Sequence, residues 1–246
     1  MATCCTQGSF HKGATTGNET TVAGLPTYIT GPSDSTSAIL IITDVFGWDF
    51  NNVRRLADKY AQGTGFRVYI PDLFGGEAID PIALANGGAD LRAFLAKYPP
   101  RDPRLHQLVE KVALEIKSKH ASGKVASIGF CWGAPSALYL GRKSGPSSAV
   151  AFAHATQVKL SDFEALEVPG LFLCAEFDHA FTDELREGAM EVSEKRREEG
   201  VYSKWCYYPG VKHGFAVRGD EQDLLVATAM QDACNSAIGH FKLFLP

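Results

Sequence analysis

The stretch SIGFCWGA, residues 127–134, decides how this chain folds and where its chemistry lies. It closes the apolar run VASIGF and is followed directly by GAPSALYLGRKS, which reads as a helix, so Cys131 stands where a buried strand gives way to a helix. A sharp strand-to-helix turn strains the backbone at its central residue, and side chains at the flanking positions would collide. Gly129 and Gly133 occupy those positions. A thiol presented in this way is pushed off the sheet edge toward the first turn of a helix, whose positive end favours a thiolate. The competing reading is a small core thiol between two chance glycines, because cysteine is among the most buried residue types.

Working outward, AILIIT (38–43), FRVYIP (66–71), SAVAFAH (148–154), GLFLCAEFD (170–178) and SKWCYYP (203–209) are short apolar runs of the kind that strands buried on both faces need. Helical patterns separate them. NNVRRLADKYAQGTG carries Val53, Leu56, Ala57 and Tyr60 on one face, a long helical region covers 81–97, and another covers 103–121. FTDELREGAMEVSEKRREEG and DEQDLLVATAMQDACNSAIGHFKLFL complete the set. The alternation predicts an α/β fold of one domain: a mainly parallel central sheet with helices on both faces. Ligands bind such sheets beyond the C-terminal ends of the strands. The domain is expected over 21–246, with a flexible N-terminal segment over 1–20.

The bulk properties fit this. The 246 residues carry 24 basic and 28 acidic side chains, and 45% are apolar, ordinary for a globular chain with a core of its own. No basic tract or RNA-type aromatic motif points to nucleic acid. No apolar run approaches a membrane span, and the first residues lack the h-region of a secretory signal. The six cysteines, at 4, 5, 131, 174, 206 and 234, show no paired spacing for zinc or a redox dithiol. They read as reduced thiols of a cytoplasmic protein. Cys4–Cys5 reads as a frayed terminus, Cys174 and Cys206 as core thiols of strands, and Cys234 as a packing residue of the last helix.

A nucleophile needs a base and an acid to orient it. Asp178 ends the strand GLFLCAEFD, and His213 lies in the glycine-flanked loop GVKHGF before the last helix. Taken singly, the aspartate could be a helix cap and the histidine a solvated loop residue. Together they follow Cys131 in the order nucleophile, acid, histidine, each after a different strand. Gly-Phe-Cys-Trp-Gly and that order resemble the α/β-hydrolases, with cysteine where serine usually stands. His154 ends SAVAFAH at the same edge and is a candidate pocket residue. His179 is expected to point elsewhere, and His11, His106, His120 and His240 lie in polar or terminal segments.

Five stretches carry a closer resemblance: ITDVFGW (42–48), IPDLFGG (70–76), GFCWGA (129–134), AEFDHAF (175–181) and HGFAVR (213–218). They resemble the dienelactone hydrolase family, including its eukaryotic carboxymethylenebutenolidase-like members, from about residue 24 to the end of the chain. The resemblance implies Cys131 as nucleophile, Asp178 as acid and His213 as base. It also implies Asp44, where the family classically has Glu, as the acid that acts on the resting thiol. The oxyanion hole would be the backbone N–H groups of Val45 and Trp132. Arg218 is a candidate for gripping a substrate carboxylate, with Arg92 as a second. Phe46, Trp48 and Phe215 are expected around an apolar pocket.

The activity implied is hydrolysis of an activated cyclic ester, an unsaturated lactone or a cyclic anhydride, through a thioester and without metal or organic cofactor. The partner expected is a small-molecule substrate, and the chain is expected as a monomer or homodimer. A binding or single-turnover protein on the same scaffold, and a cysteine amidase, are the alternatives. Turnover of a lactone separates the first, and turnover of glutamine or a peptide the second.

Overall fold

A computed structural model describes residues 8–245; Cys4 and Cys5 lie outside the described residues. The strands are β1 (Asn18–Val22), β2 (Leu25–Thr30), β3 (Ser37–Ile42), β4 (Arg67–Pro71), β5 (Lys124–Phe130), β6 (Ala149–Ala153), β7 (Gly170–Phe177) and β8 (Ser203–Lys212). They form one sheet in the order β1-β2-β4-β3-β5-β6-β7-β8. From β4 through β3 to β8 every pairing is parallel, while β1 and β2 add an antiparallel edge.

The helices are α1 (Asn51–Thr64), α2 (Pro81–Ala85), α3 (Leu91–Lys97), α4 (Pro103–Ser118), α5 (Ala134–Leu140), α6 (Leu160–Glu164), α7 (Asp183–Glu198), α8 (Phe215–Arg218) and α9 (Leu224–Phe244). α1, α8 and α9 pack on one another on one face, and α4 to α7 cover the other. Each residue of β3 and β6 is therefore buried, which explains their uninterrupted apolar sequences. The single α/β domain with a mainly parallel sheet is as expected.

Three features differ from the sequence reading. The β1–β2 hairpin was not foreseen: four of the five β1 residues are exposed and polar, so no alternation marks the strand. Its two-residue turn, Ala23-Gly24, has positive φ at both positions, the turn that suits strand twist. The helical region over 81–97 is two short helices, because Asp90 accepts the N–H groups of Arg92 and Ala93 and starts a new one. The boundary expected at residue 20 falls inside β1, and ahead of it Ser9 and His11 hydrogen-bond to the body of the domain.

His240, read as belonging to a terminal segment, is buried on α9 against Phe241 and Phe244. Burial pushes its imidazole down to about 4. A neutral buried histidine contributes stability that is full above pH 6.5 and is lost as the pH falls from there to 4, about 3 kcal/mol across that window. Urea unfolding at pH 7 and pH 4.5 should therefore show a smaller acid-induced loss for His240→Phe than for wild type; equal losses would refute this.

Candidate active site

The parallel register lines up the C-terminal ends of five neighbouring strands. Ile42 of β3 pairs with Gly129 of β5, Phe130 with Ala153 of β6, Ala153 with Leu173 of β7, and Phe177 with Lys212 of β8. Just beyond these ends come Asp44, Cys131, His154, Asp178 and His213, one from each strand in sheet order.

Cys131 opens a single 3₁₀ turn, Cys131–Gly133, between β5 and α5, and its φ of +48° lies in the left-handed region. The flanking glycines are sterically required. A Cβ on Gly129 would lie 2.4 Å from the Gly133 carbonyl oxygen, and one on Gly133 would lie 2.1 Å from the carbonyl oxygen of Ile42. The second contact also draws the end of β3, and with it Asp44 and Val45, against the turn. The Thr156 N–H donates to the Cys131 carbonyl at 3.2 Å, and the Trp132 indole N–H donates to the Tyr98 carbonyl at 2.8 Å. Trp132 also packs on Phe74 with ring centroids 4.6 Å apart.

His213 Nδ1 lies 2.9 Å from both carboxylate oxygens of Asp178, and both side chains are buried. Asp178 Oδ1 also accepts the N–H groups of Ala180 and Phe181, at 2.9 and 3.1 Å. With an acceptor on Nδ1, that nitrogen carries the proton and Nε2 is left as the basic lone pair. Nε2 has no hydrogen-bond partner among the described residues. The pair meets because of an irregularity in β8: Ala175 pairs with Tyr208 but Phe177 with Lys212, so β8 spends four residues where β7 uses two. The His213 N–H then bonds the Phe177 carbonyl at 3.1 Å, one residue before Asp178.

Asp44 faces the same ground from β3. Its Oδ1 accepts the Phe46 N–H at 3.1 Å, and its Oδ2 accepts Nε of Arg218 at 3.2 Å. Both side chains are almost wholly buried, and the guanidinium lies over the Phe46 ring at 4.8 Å. Asp44 is thus no cap of α1, whose N-cap is Phe50.

The family model described as the dienelactone hydrolase family matches residues 25–245. The chain belongs to the dienelactone hydrolase family. Hydrolase tropI of Talaromyces stipitatus is 30% identical, over 98% of this chain and 96% of that protein. The human carboxymethylenebutenolidase homolog is 26% identical, over 83% and 81% respectively. A putative dienelactone hydrolase from Klebsiella pneumoniae has the same fold, with a TM-score of 0.70 at 19% identity over 93% of this chain and 99% of that one. Membership of the dienelactone hydrolase family makes the chain a hydrolase of the ester and lactone class.

Of the other residues singled out in the sequence, His154 and Phe215 stand by the His213 side of the edge and Phe46 stands under Arg218, while Trp48 lines a separate cavity. The His154 ring is fully buried, 5.1 Å from that of His213 and within reach of Phe130 and Phe215. Burial, with His213 and Arg218 nearby, holds its imidazole well below the usual histidine range, so it is neutral. A cavity of about 400 Å³ is lined by Lys212, His213, Phe215 and Arg218. A second, of about 360 Å³, is lined by Phe10, Phe46, Trp48, Phe50 and Ile79.

Arg92 is not brought in: it stands exposed on α3, with its backbone N–H accepted by Asp90. The ring of His179, expected to point elsewhere, lies 5.9 Å from that of His213. Asn52, which the sequence reading did not single out, donates to the Val217 carbonyl of α8. Cys174 and Cys234 are buried thiols pushed up by burial, Cys234 to about 11, as befits core residues.

Gly133→Ala should be damaging, because its Cβ would lie 2.1 Å from the carbonyl oxygen of Ile42 and 2.7 Å from its carbonyl carbon. Overpacking of this kind costs about 1–3 kcal/mol. A thermal melt and an activity assay should both register it, and unchanged values in both would show that the turn has room.

Proposed function

We propose that this member of the family opens an activated cyclic ester, an unsaturated lactone, through a Cys131–His213–Asp178 triad and a thioester intermediate. The observation that carries the reading is the single row of strand ends. A cysteine on a strained turn, a histidine oriented through Nδ1 by a buried carboxylate, and an acid held by an arginine all stand at one sheet edge.

The Cys131 thiolate attacks the lactone carbonyl carbon, and the resulting oxyanion rests on the backbone N–H groups of Val45 and Trp132. Collapse breaks the ring C–O bond, leaving an acyl thioester on Cys131 and an enolate as leaving group. His213 takes a proton from water at Nε2, hydroxide attacks the thioester, the thiolate is released, and the imidazolium gives its proton to the enolate, which returns His213 to its neutral form. Asp178 keeps the imidazole in the tautomer that makes Nε2 the base and stabilises the imidazolium that forms. Asp44, ion-paired with Arg218 beside the turn, is the acid we assign to the resting thiol.

A thiolate suits a substrate whose leaving group is an enolate and performs poorly on an amide. The rings of Phe46, under Arg218, and Phe215, against His154, favour a conjugated or aromatic substrate. The name of the human relative, a carboxymethylenebutenolidase homolog, points to the same class. Arg218, with Nε on Asp44, is better read as a partner of that acid than as a dedicated carboxylate clamp. No disulfide joins any two of the four described cysteines, which suits a reducing, cytoplasmic setting, and no helix among the described residues is long and apolar enough to cross a membrane.

Steady-state hydrolysis of cis- and trans-dienelactone and of 4-nitrophenyl acetate tests the reading. Wild type should turn over at least one lactone, and Cys131→Ala should lose about 10⁴-fold or more in kcat. Asp178→Asn should lose about 10⁴-fold with the fold intact, because it leaves His213 in the wrong tautomer. Turnover that survives Cys131→Ala would remove the triad, whereas ester cleavage without lactone cleavage would remove only the substrate.

A further inference from the structure

α8 is a single helical turn, Phe215–Arg218, and it carries the arginine that holds Asp44. An isolated turn is unstable, because the carbonyls at its C-terminal end have no partner within the helix. Here three successive carbonyls are taken up from outside. That of Val217 accepts Nδ2 of Asn52 at 3.0 Å, that of Arg218 accepts the Ser9 N–H at 2.9 Å, and that of Gly219 accepts Nε2 of His11 at 2.8 Å.

Two of the three donors belong to the N-terminal segment, and the third belongs to the residue that fastens it. Asn52 is buried, and its amide also donates to the Ser9 carbonyl at 2.8 Å and accepts the His11 N–H at 2.9 Å. Its side chain therefore joins residues 9–11 to α8 as one unit. The segment also lies directly on the arginine, since a Cβ on Gly8 would come within 2.8 Å of the Arg218 Cβ. Arg218 is thus held at its stem by the segment, over the Phe46 ring at its guanidinium, and on Asp44 at Nε. Of this clasp, residues 8–11 lie ahead of the region matched by the family model, residues 25–245, whereas Asn52 and α8 lie within it.

We propose that residues 8–11, fastened by Asn52, are a positioning element of the active site: they fix α8 so that Arg218 stays on Asp44 beside Cys131. Asn52 and His11 act through Arg218 and do not touch substrate. The proposal rests on the role given above to Asp44. A purely structural clasp would lower stability without changing the state of the thiol, and the two cases can be told apart.

The experiment uses the full-length chain with Asn52→Ala, His11→Ala and His11→Gln, each alone and combined with Arg218→Lys. Arg218→Ala is avoided as the main background because it leaves Asp44 buried without its cation. Two readouts are taken: kcat and KM on 4-nitrophenyl acetate, and the pH profile of iodoacetamide alkylation at the Cys131 peptide followed by mass spectrometry. Asn52→Ala and His11→Ala should lower kcat about tenfold with little change in KM and move the alkylation midpoint to higher pH. A loosened guanidinium no longer neutralises the carboxylate next to the thiolate.

His11→Gln, which can still donate to the Gly219 carbonyl, should restore most of both effects. In the Arg218→Lys background the clasp substitutions should add less than about twofold, the non-additivity expected of residues that act through one another. Losses that multiply in the double variants, or an unmoved alkylation profile in a variant that merely melts earlier, would overturn the proposal. So would an Arg218→Lys variant with wild-type rates and thiol profile. Failure of the ester assay in wild type would instead count against the hydrolytic reading, and the alkylation profile would still decide the clasp.

Discussion

The backbone at Cys131 turns through φ +48°, a region that costs a non-glycine residue about 1–3 kcal/mol. The site depends on the packing that pays for it. Gly133 presses on the Ile42 carbonyl, Gly129 on the Gly133 carbonyl, and the Thr156 N–H holds the Cys131 carbonyl from the next strand. None of these contacts can relax alone, because β3, β5 and β6 are fully or almost fully buried and paired in register. The strain is therefore stored on a rigid platform, and the thiol it presents has a fixed position relative to every other strand end.

That platform concentrates polar groups where the interior is otherwise apolar. Asp44, His154, Asp178, His213 and Arg218 are all buried at one edge of the sheet. Burying charge is costly unless it is paired or hydrogen-bonded, and here Asp44 is ion-paired with Arg218 while Asp178 accepts hydrogen bonds from His213, Ala180 and Phe181. His154 meets the same constraint differently, by staying neutral. Its ring fills the space between Phe130, His213 and Phe215, so the histidine taken as the base has an uncharged neighbour on that side. A fold that maximised stability would place apolar side chains there; departures of this kind mark functional edges.

Much of this was legible in the sequence because it is local. A buried strand that breaks into Gly-Phe-Cys-Trp-Gly and then a helix admits few geometries. Asp178 closes one strand pattern and His213 follows another, so the edge rule places both at the same edge of the sheet as Cys131. Features with weak or non-periodic patterns were not legible. β1 is polar and exposed, the helical region over 81–97 hides the Asp90 cap, and His240 looks terminal until α9 is folded against the sheet.

By itself, then, the sequence determined the fold class, the glycine-flanked turn at Cys131 and the strand ends that carry Asp178 and His213, because strand and helix periodicity and turn sterics act over a few residues. The tertiary structure decided what each side chain does with its hydrogen bonds. Arg218 goes to Asp44 across 174 positions of chain, and Asn52 clasps Ser9 and Val217 across 43 and 165. The two extra residues of β8 bring His213 beside Asp178. Such pairings depend on which surfaces meet after the sheet has closed, and no local pattern encodes that.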